Sequence, residues 1–211
     1  MIPVLHSDDD FLILDKPSGL AVQPGEGVRI CLLDAVERDF GFKPYLVHRL
    51  DRETSGCLAV ARSPRAASML SALMGGNGAV KRYRAIVVGR PEPASGILGG
   101  KVRVRERMVD AETRYRTLAG AAGFSLVEAE LGTGRNHQIR QHLAGAGWPI
   151  LGDDRHGDFK ANKAAAAGWG AKRLMLYACA LTLPLQPPVS VTAPAPPHFA
   201  DFCARVGLEN P

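Results

Sequence analysis

Apolar residues in this chain come in strand-length runs separated by clusters of turn formers, and that pattern limits the fold more than any other feature. Phe11-Leu12-Ile13-Leu14 is a buried-strand run stopped by Lys16-Pro17-Ser18-Gly19, and Cys57-Leu58-Ala59-Val60-Ala61 is a second such run. The punctuation comes from 23 Gly and 15 Pro among 211 residues. Their share exceeds average usage but stays below the roughly 25–30% that marks low-complexity or disordered chains. No apolar run approaches the ~18 residues that a membrane-spanning helix needs.

Helical spacing appears in only a few places. Leu32, Leu33, Val36 and Phe40 repeat at helical intervals with Gly41 as a stop. Ser63-Pro64 supplies an N-cap and a first helical residue for a helix to about Met74, closed by Gly75-Gly76-Asn77-Gly78. Residues 136–146 and 199–206 read as two more helices, the last preceded by a proline-rich stretch. Residues 80–88, 101–109, 113–118, 124–131 and 173–183 read as strands. In 101–109 strict alternation puts Val102 and Val104 on one face and Arg103, Arg105 and Arg107 on the other. The Ala164 to Ala167 patch is too short to interpret. This order lacks regular βαβ alternation, so we expect one α+β domain over residues 1–211 in place of a doubly wound sheet.

Charge is uneven. Residues 81–116 hold ten Lys or Arg against four acids, whereas the whole chain has a net charge of only +5. Such a patch attracts polyanions, of which nucleic acid backbone is the commonest large one; a solvated strand face fits the same count. Cys31, Cys57, Cys179 and Cys203 form no C-x-x-C pair, so a zinc ribbon is excluded and free thiols in a reducing compartment are expected. The first residues show neither a basic n-region nor an apolar h-region, which points to a cytoplasmic protein without a membrane partner. His137 and His142 lie five apart with no Glu between them, so they do not make an H-E-x-x-H zinc site. No P-loop and no G-x-S-x-G nucleophile elbow is present. We therefore expect no metal site.

The most informative segment is Val47-His48-Arg49-Leu50-Asp51-Arg52-Glu53-Thr54-Ser55-Gly56. It sets one carboxylate, Asp51, among the cations His48, Arg49 and Arg52 at the start of a strand. A carboxylate held by guanidinium groups stays ionised, which suits a nucleophile better than a proton donor. A structural salt bridge would use the same residues.

His48-Arg49-Leu50-Asp51-x-x-Thr54-Ser55-Gly56 resembles the signature of the RluA family of RNA pseudouridine synthases. Other segments resemble that family in the same order. Asp15-Lys16-Pro17-Ser18-Gly19-Leu20 is similar to its N-terminal block, with Asp in place of Asn. Lys81-x-Tyr83-x-Ala85 resembles the block that carries its active-site tyrosine. Thr133-Gly134-Arg135-Asn136-His137-Gln138-Ile139-Arg140-Gln141-His142 resembles a later block, with Asn136 where Thr or Ser is usual and Gln141 where Val is usual. Asp153-Asp154-Arg155-His156-Gly157-Asp158 is similar to a block of the ribosomal members, and 173–178 matches a further one with Tyr177 where His is usual. The matches run from about Asp9 to Leu183.

The resemblance implies an α+β pseudouridine synthase core, with a large, mixed, mainly antiparallel sheet and a central cleft flanked by helices and loops. It implies isomerisation of uridine to pseudouridine without a cofactor. Large-subunit (23S) ribosomal RNA would be the first substrate and transfer RNA the second; a catalytically silent RNA-binding module is the alternative from another class. Asp51 would be the nucleophile, Tyr83 would pack on the base, and Arg140 would orient Asp51 through a charge-assisted, bidentate bond. Arg49 would fill the space left by the extruded uridine. His48, Arg52, Lys81, Arg103, Arg105, Arg107, Arg135 and His137 complete the expected RNA-binding set. A monomer is expected, without the S4-type domain that larger relatives carry before the block at Lys16.

Overall fold

The computed structural model describes residues 1–76, 78–132 and 134–208. Asn77 of the glycine-rich stop and Thr133 of the 133–142 block lie outside the described residues. The chain divides into two compact units, Met1–Lys81 with Ala178–Pro194, and Arg82–Tyr177 with Ala195–Pro211.

The first unit opens with β1 (Val4–Ser7), β2 (Phe11–Lys16), α1 (Leu32–Phe40), β3 (Tyr45–Leu46), β4 (Ser55–Ala61) and α2 (Pro64–Gly75). β1 and β4 flank β2 in antiparallel pairs, and the β2–β4 register runs from Phe11↔Ala61 to Lys16↔Gly56. Leu12, Ile13, Leu14, Leu58, Ala59 and Val60 are wholly buried. Both strands are covered on both faces, which is why their sequences are continuous apolar runs and do not alternate. The helix ends follow local chemistry. The Asp34 carboxylate accepts from the Cys31 N–H at the start of α1, and Gly41, at φ 72°, closes it. Ser63 caps α2 by accepting from the Ala66 N–H, with Pro64 as the first helical residue.

The chain leaves this unit within β5 (Val80–Val88) and continues through β6 (Ser95–Val104), β7 (Arg107–Ala121), β8 (Phe124–Leu131), α3 (Gln138–Gly145) and α4 (Phe159–Trp169). It returns within β9 (Leu176–Leu183), adds β10 (Val189–Thr192), antiparallel to β9, and ends the second unit with α5 (Pro197–Val206). Strand order in the second unit is β5-β8-β7-β6, with β6 at the edge. The β6–β7 and β7–β8 pairs are antiparallel. The architecture is therefore α+β with mainly antiparallel strands. α4 has no counterpart in the sequence reading; Asp158 accepts from the Lys160 and Ala161 N–H groups at its start, and the alanine patch lies within it. Among the described residues, no helix is long and apolar enough to cross a membrane.

The expected strand over 101–109 is corrected. It is the tip of the β6–β7 hairpin, turning at Arg105 and Glu106 with Arg105 at φ 54°. Cross-strand partners are Val104↔Arg107, Arg103↔Met108 and Val102↔Val109. Every pair joins an even to an odd position, so the turn inverts parity. Arg107 shares the face of Val102 and Val104, while Arg103 lies on the opposite face with Met108. The three arginines do not share one face, because a two-residue turn reverses the alternation that an unbroken strand would keep.

Candidate active site

In the first unit the Asp51 segment connects β3 to β4, and a buried lysine holds it in place. Lys16 ends β2 with no exposed surface. Its ammonium donates to the carbonyls of Pro17 (3.0 Å), Leu20 (2.8 Å) and Arg52 (2.9 Å). Further bonds join the same two loops. The Gly19 N–H donates to Arg52 O, Arg52 Nε donates to Gly19 O, and Ser18 Oγ donates to Glu53 O. The Thr54 N–H donates to the Asp51 carbonyl and closes the turn from within. Lys16-Pro17-Ser18-Gly19-Leu20 is thus the cradle of the loop that carries Asp51. Burial lowers the Lys16 pKa to about 8, against the upward pull of the Glu53 and Asp51 charges.

Gly56 ends the segment for a steric reason. It adopts φ 101°, and a Cβ there would overlap the Ala178 carbonyl.

His48 is corrected. Expected as a cation beside Asp51, it accepts the Ala59 N–H at Nε2 (2.9 Å), a bond that only the unprotonated nitrogen can make. Burial, assisted by the Lys81 charge, lowers its pKa to about 3, so the ring is neutral at physiological pH. Lys81 is corrected as well. It is buried, its ammonium donates to the Met74 carbonyl (2.9 Å), and it is not presented to a phosphate. Arg49 and Arg52 are exposed.

The second unit contains the other two expected catalytic residues. Tyr83 lies on the buried side of β5. Arg140, on α3, makes a bidentate bond to Asp153: Nε and Nη2 each donate to one carboxylate oxygen at 2.7 Å. Nη2 also donates to Asp154 (3.1 Å) and Nη1 to His137 Nε2 (3.2 Å). A guanidinium only donates, so His137 Nε2 is the acceptor. The ring is then left to donate from Nδ1 to His156 Nε2, 3.0 Å away. Burial raises the Asp153 pKa, but Arg140 and the backbone amides of His156 and Arg155 outweigh it and hold the carboxyl below its ordinary value. Arg135 is exposed, and its N–H is accepted by Gln138 Oε1.

The sequence reading assigned no role to Lys16 or Asp153. Both stand in blocks quoted above, and the signal was there: a charged residue inside an apolar or glycine-bounded block must find partners if buried.

Comparison with known proteins places this chain. Residues 10–145 match the RNA pseudouridylate synthase family. A relative described as an uncharacterized RNA pseudouridine synthase, from Zymomonas mobilis, is 36% identical over 94% of this chain and 96% of its own length. Ribosomal large subunit pseudouridine synthase C of Vibrio cholerae is 37% identical over 83% of this chain, and that of Escherichia coli 38% over 84%. The chain spans only 59% and 60% of those two proteins. The solved structure of human RNA pseudouridylate synthase domain containing 4 superposes with a TM-score of 0.85 over 99% of this chain and 94% of its own, at 27% identity. The chain belongs to the RNA pseudouridylate synthase family.

Proposed function

We propose that this protein isomerises uridine to pseudouridine in RNA, and that large-subunit ribosomal RNA is the substrate. The observation that carries this reading is the Asp51 loop. It lies within the family match, and Lys16 fixes it through three main-chain carbonyls. That is the construction a carboxylate nucleophile needs, since its attack depends on a fixed orientation toward the reacting carbon. Two relatives named as large-subunit synthases support the substrate.

In the reaction the N1–C1′ bond breaks, uracil turns, and a C5–C1′ bond forms while the C5 hydrogen leaves to solvent as a proton and N1 takes up a proton. Atoms balance without an external oxidant, reductant or water. Asp51 is the proposed nucleophile. Tyr83 packs on the base and moves a proton, and Arg140, held by Asp153 and His137, supplies a fixed positive charge. Arg49 occupies the stack vacated by the uridine. Arg52, Arg103, Arg105, Arg107 and Arg135 contact phosphate, and neutral His48 and His137 hold the loop and the guanidinium instead.

Tritium release from C5-labelled uridine in transcribed large-subunit ribosomal RNA tests the reading. Stoichiometric release is expected. RNA binding without release would identify a silent binding module, and release from transfer RNA alone would move the substrate.

A further inference from the structure

Four cations, Lys101, Arg103, Arg105 and Arg107, crowd the tip of the β6–β7 hairpin with only Glu106 among them, and all four are exposed. In the same unit Arg82 pairs with Glu130 (3.1 Å) and Arg116 with Glu128 (2.9 Å), and Lys101 lies opposite Asp110, whereas Arg103 and Arg107 lie opposite Met108 and Val104. The tip is where the basic segment concentrates its charge. It is also the end of an edge strand, whose outward N–H and C=O groups need a partner.

That partner is one side chain. Gln141 of α3 accepts the Arg103 N–H at Oε1 (2.8 Å) and donates from Nε2 to the Arg103 carbonyl (3.0 Å). Its amide thus makes with Arg103 the paired bonds a neighbouring strand would make. The second Nε2 hydrogen goes to the Asn136 carbonyl (3.0 Å), which fixes the amide's orientation. Two more residues of the same helix hold the hairpin deeper down: Gln138 Nε2 donates to Glu112 O (2.8 Å), and His142 Nδ1 lies 2.9 Å from Thr113 Oγ1. Arg140, between them in sequence, reaches instead to Asp153. One eight-residue helix therefore grips the hairpin through three side chains and the Asp153 carboxylate through a fourth.

We propose that Gln141 is a positioning residue for RNA: its amide docks the basic hairpin tip on the helix that carries Arg140, so that tip cations meet the RNA backbone in a fixed place. The proposal rests on the reading of this chain as an RNA enzyme and names the device that presents the RNA. Valine, the residue usual at this position in the family blocks resembled above, could make neither bond. Gln141 is partly exposed, so its replacement leaves the core intact.

The test uses the full chain with Gln141→Val and Gln141→Met, which keeps side-chain length. Amide hydrogen exchange at Arg103 reads the docking bond directly and should speed up about tenfold in both, the size expected for losing one to two net hydrogen bonds. The dissociation constant for transcribed large-subunit ribosomal RNA should rise about three- to tenfold, because only the docked fraction binds. The salt dependence of binding should flatten, and kcat at saturating RNA should stay within twofold. A double variant, Lys101→Gln with Arg105→Gln, should weaken binding with Arg103 exchange unchanged. Unchanged exchange in both Gln141 variants overturns the docking. Accelerated exchange with unchanged RNA affinity, or a double variant that binds normally, overturns the link to RNA. Binding and exchange need no turnover, so a wild-type protein without tritium release would sink the enzymatic reading while these two measurements still decide the proposal.

Discussion

The Asp51 loop in one unit and the Arg140 cluster in the other both bury a cation, and they satisfy it in opposite ways. Lys16 gives its three N–H bonds to neutral main-chain carbonyls of two loops. Arg140 gives a bidentate pair of bonds to a carboxylate that has no exposed side-chain surface. The first arrangement shapes backbone, so its loss should disturb where Asp51 sits. The second is a buried bidentate ion pair, so its loss leaves a buried charge without its main counter-ion. The same chemical change should therefore have different consequences in the two places.

The sharpest contrast is Asp→Asn made twice. Asp51→Asn should abolish pseudouridine formation while leaving RNA affinity within about tenfold, because one carboxylate supplies the chemistry and many phosphate contacts supply binding. Residual turnover in a clean preparation would remove Asp51 from the nucleophile's role. Asp153→Asn should instead destabilise the protein by about 3–5 kcal/mol in urea unfolding, since Arg140 would lose its buried bidentate partner. The Asp153 pKa is lowered in the folded state, so this stability is present above the ordinary carboxylate pKa and is lost as pH falls through the folded value. A loss under 1 kcal/mol would show that Arg140 is held by other groups.

Lys16→Met should cost about 2 kcal/mol of stability, smaller than Asp153→Asn because removing the buried ammonium also removes its desolvation cost. Turnover should fall further than that loss explains, with RNA affinity little changed. Equal turnover in the variant and wild type would mean the Asp51 loop holds its shape without its cradle.

The last effect is a slope, and at neutral pH it is not felt. His48 has a folded pKa of about 3 against an ordinary value of 6.5. Between those values the unfolded chain binds the extra proton, so stability falls as pH drops through this window, by up to about 1.4 kcal/mol per pH unit. His48→Gln keeps an acceptor for the Ala59 N–H and removes the titration, so its stability profile should be flatter from pH 6.5 to 4. Identical slopes would place the acid sensitivity elsewhere.

What the sequence determined by itself was local. The stops and caps at Gly41, Ser63 and Pro64 act within a few residues, and the helices they bound stand close to where spacing put them. The Asp51 segment was legible because its residue types are contiguous, and the family match over 10–145 includes it. What tertiary structure decided was every pairing between distant positions. Alternation over 101–109 is the same string whether the chain runs straight or turns at Arg105, and only the closed hairpin separates Arg103 from Arg107. Charge counting could not see that Lys81 is buried, that burial keeps His48 neutral, or that Arg140 bonds a carboxylate 13 residues onward in Asp153. A residue's type fixes what bonds it can make, whereas burial and partner geometry, set only when the chain closes on itself, fix which ones it does make.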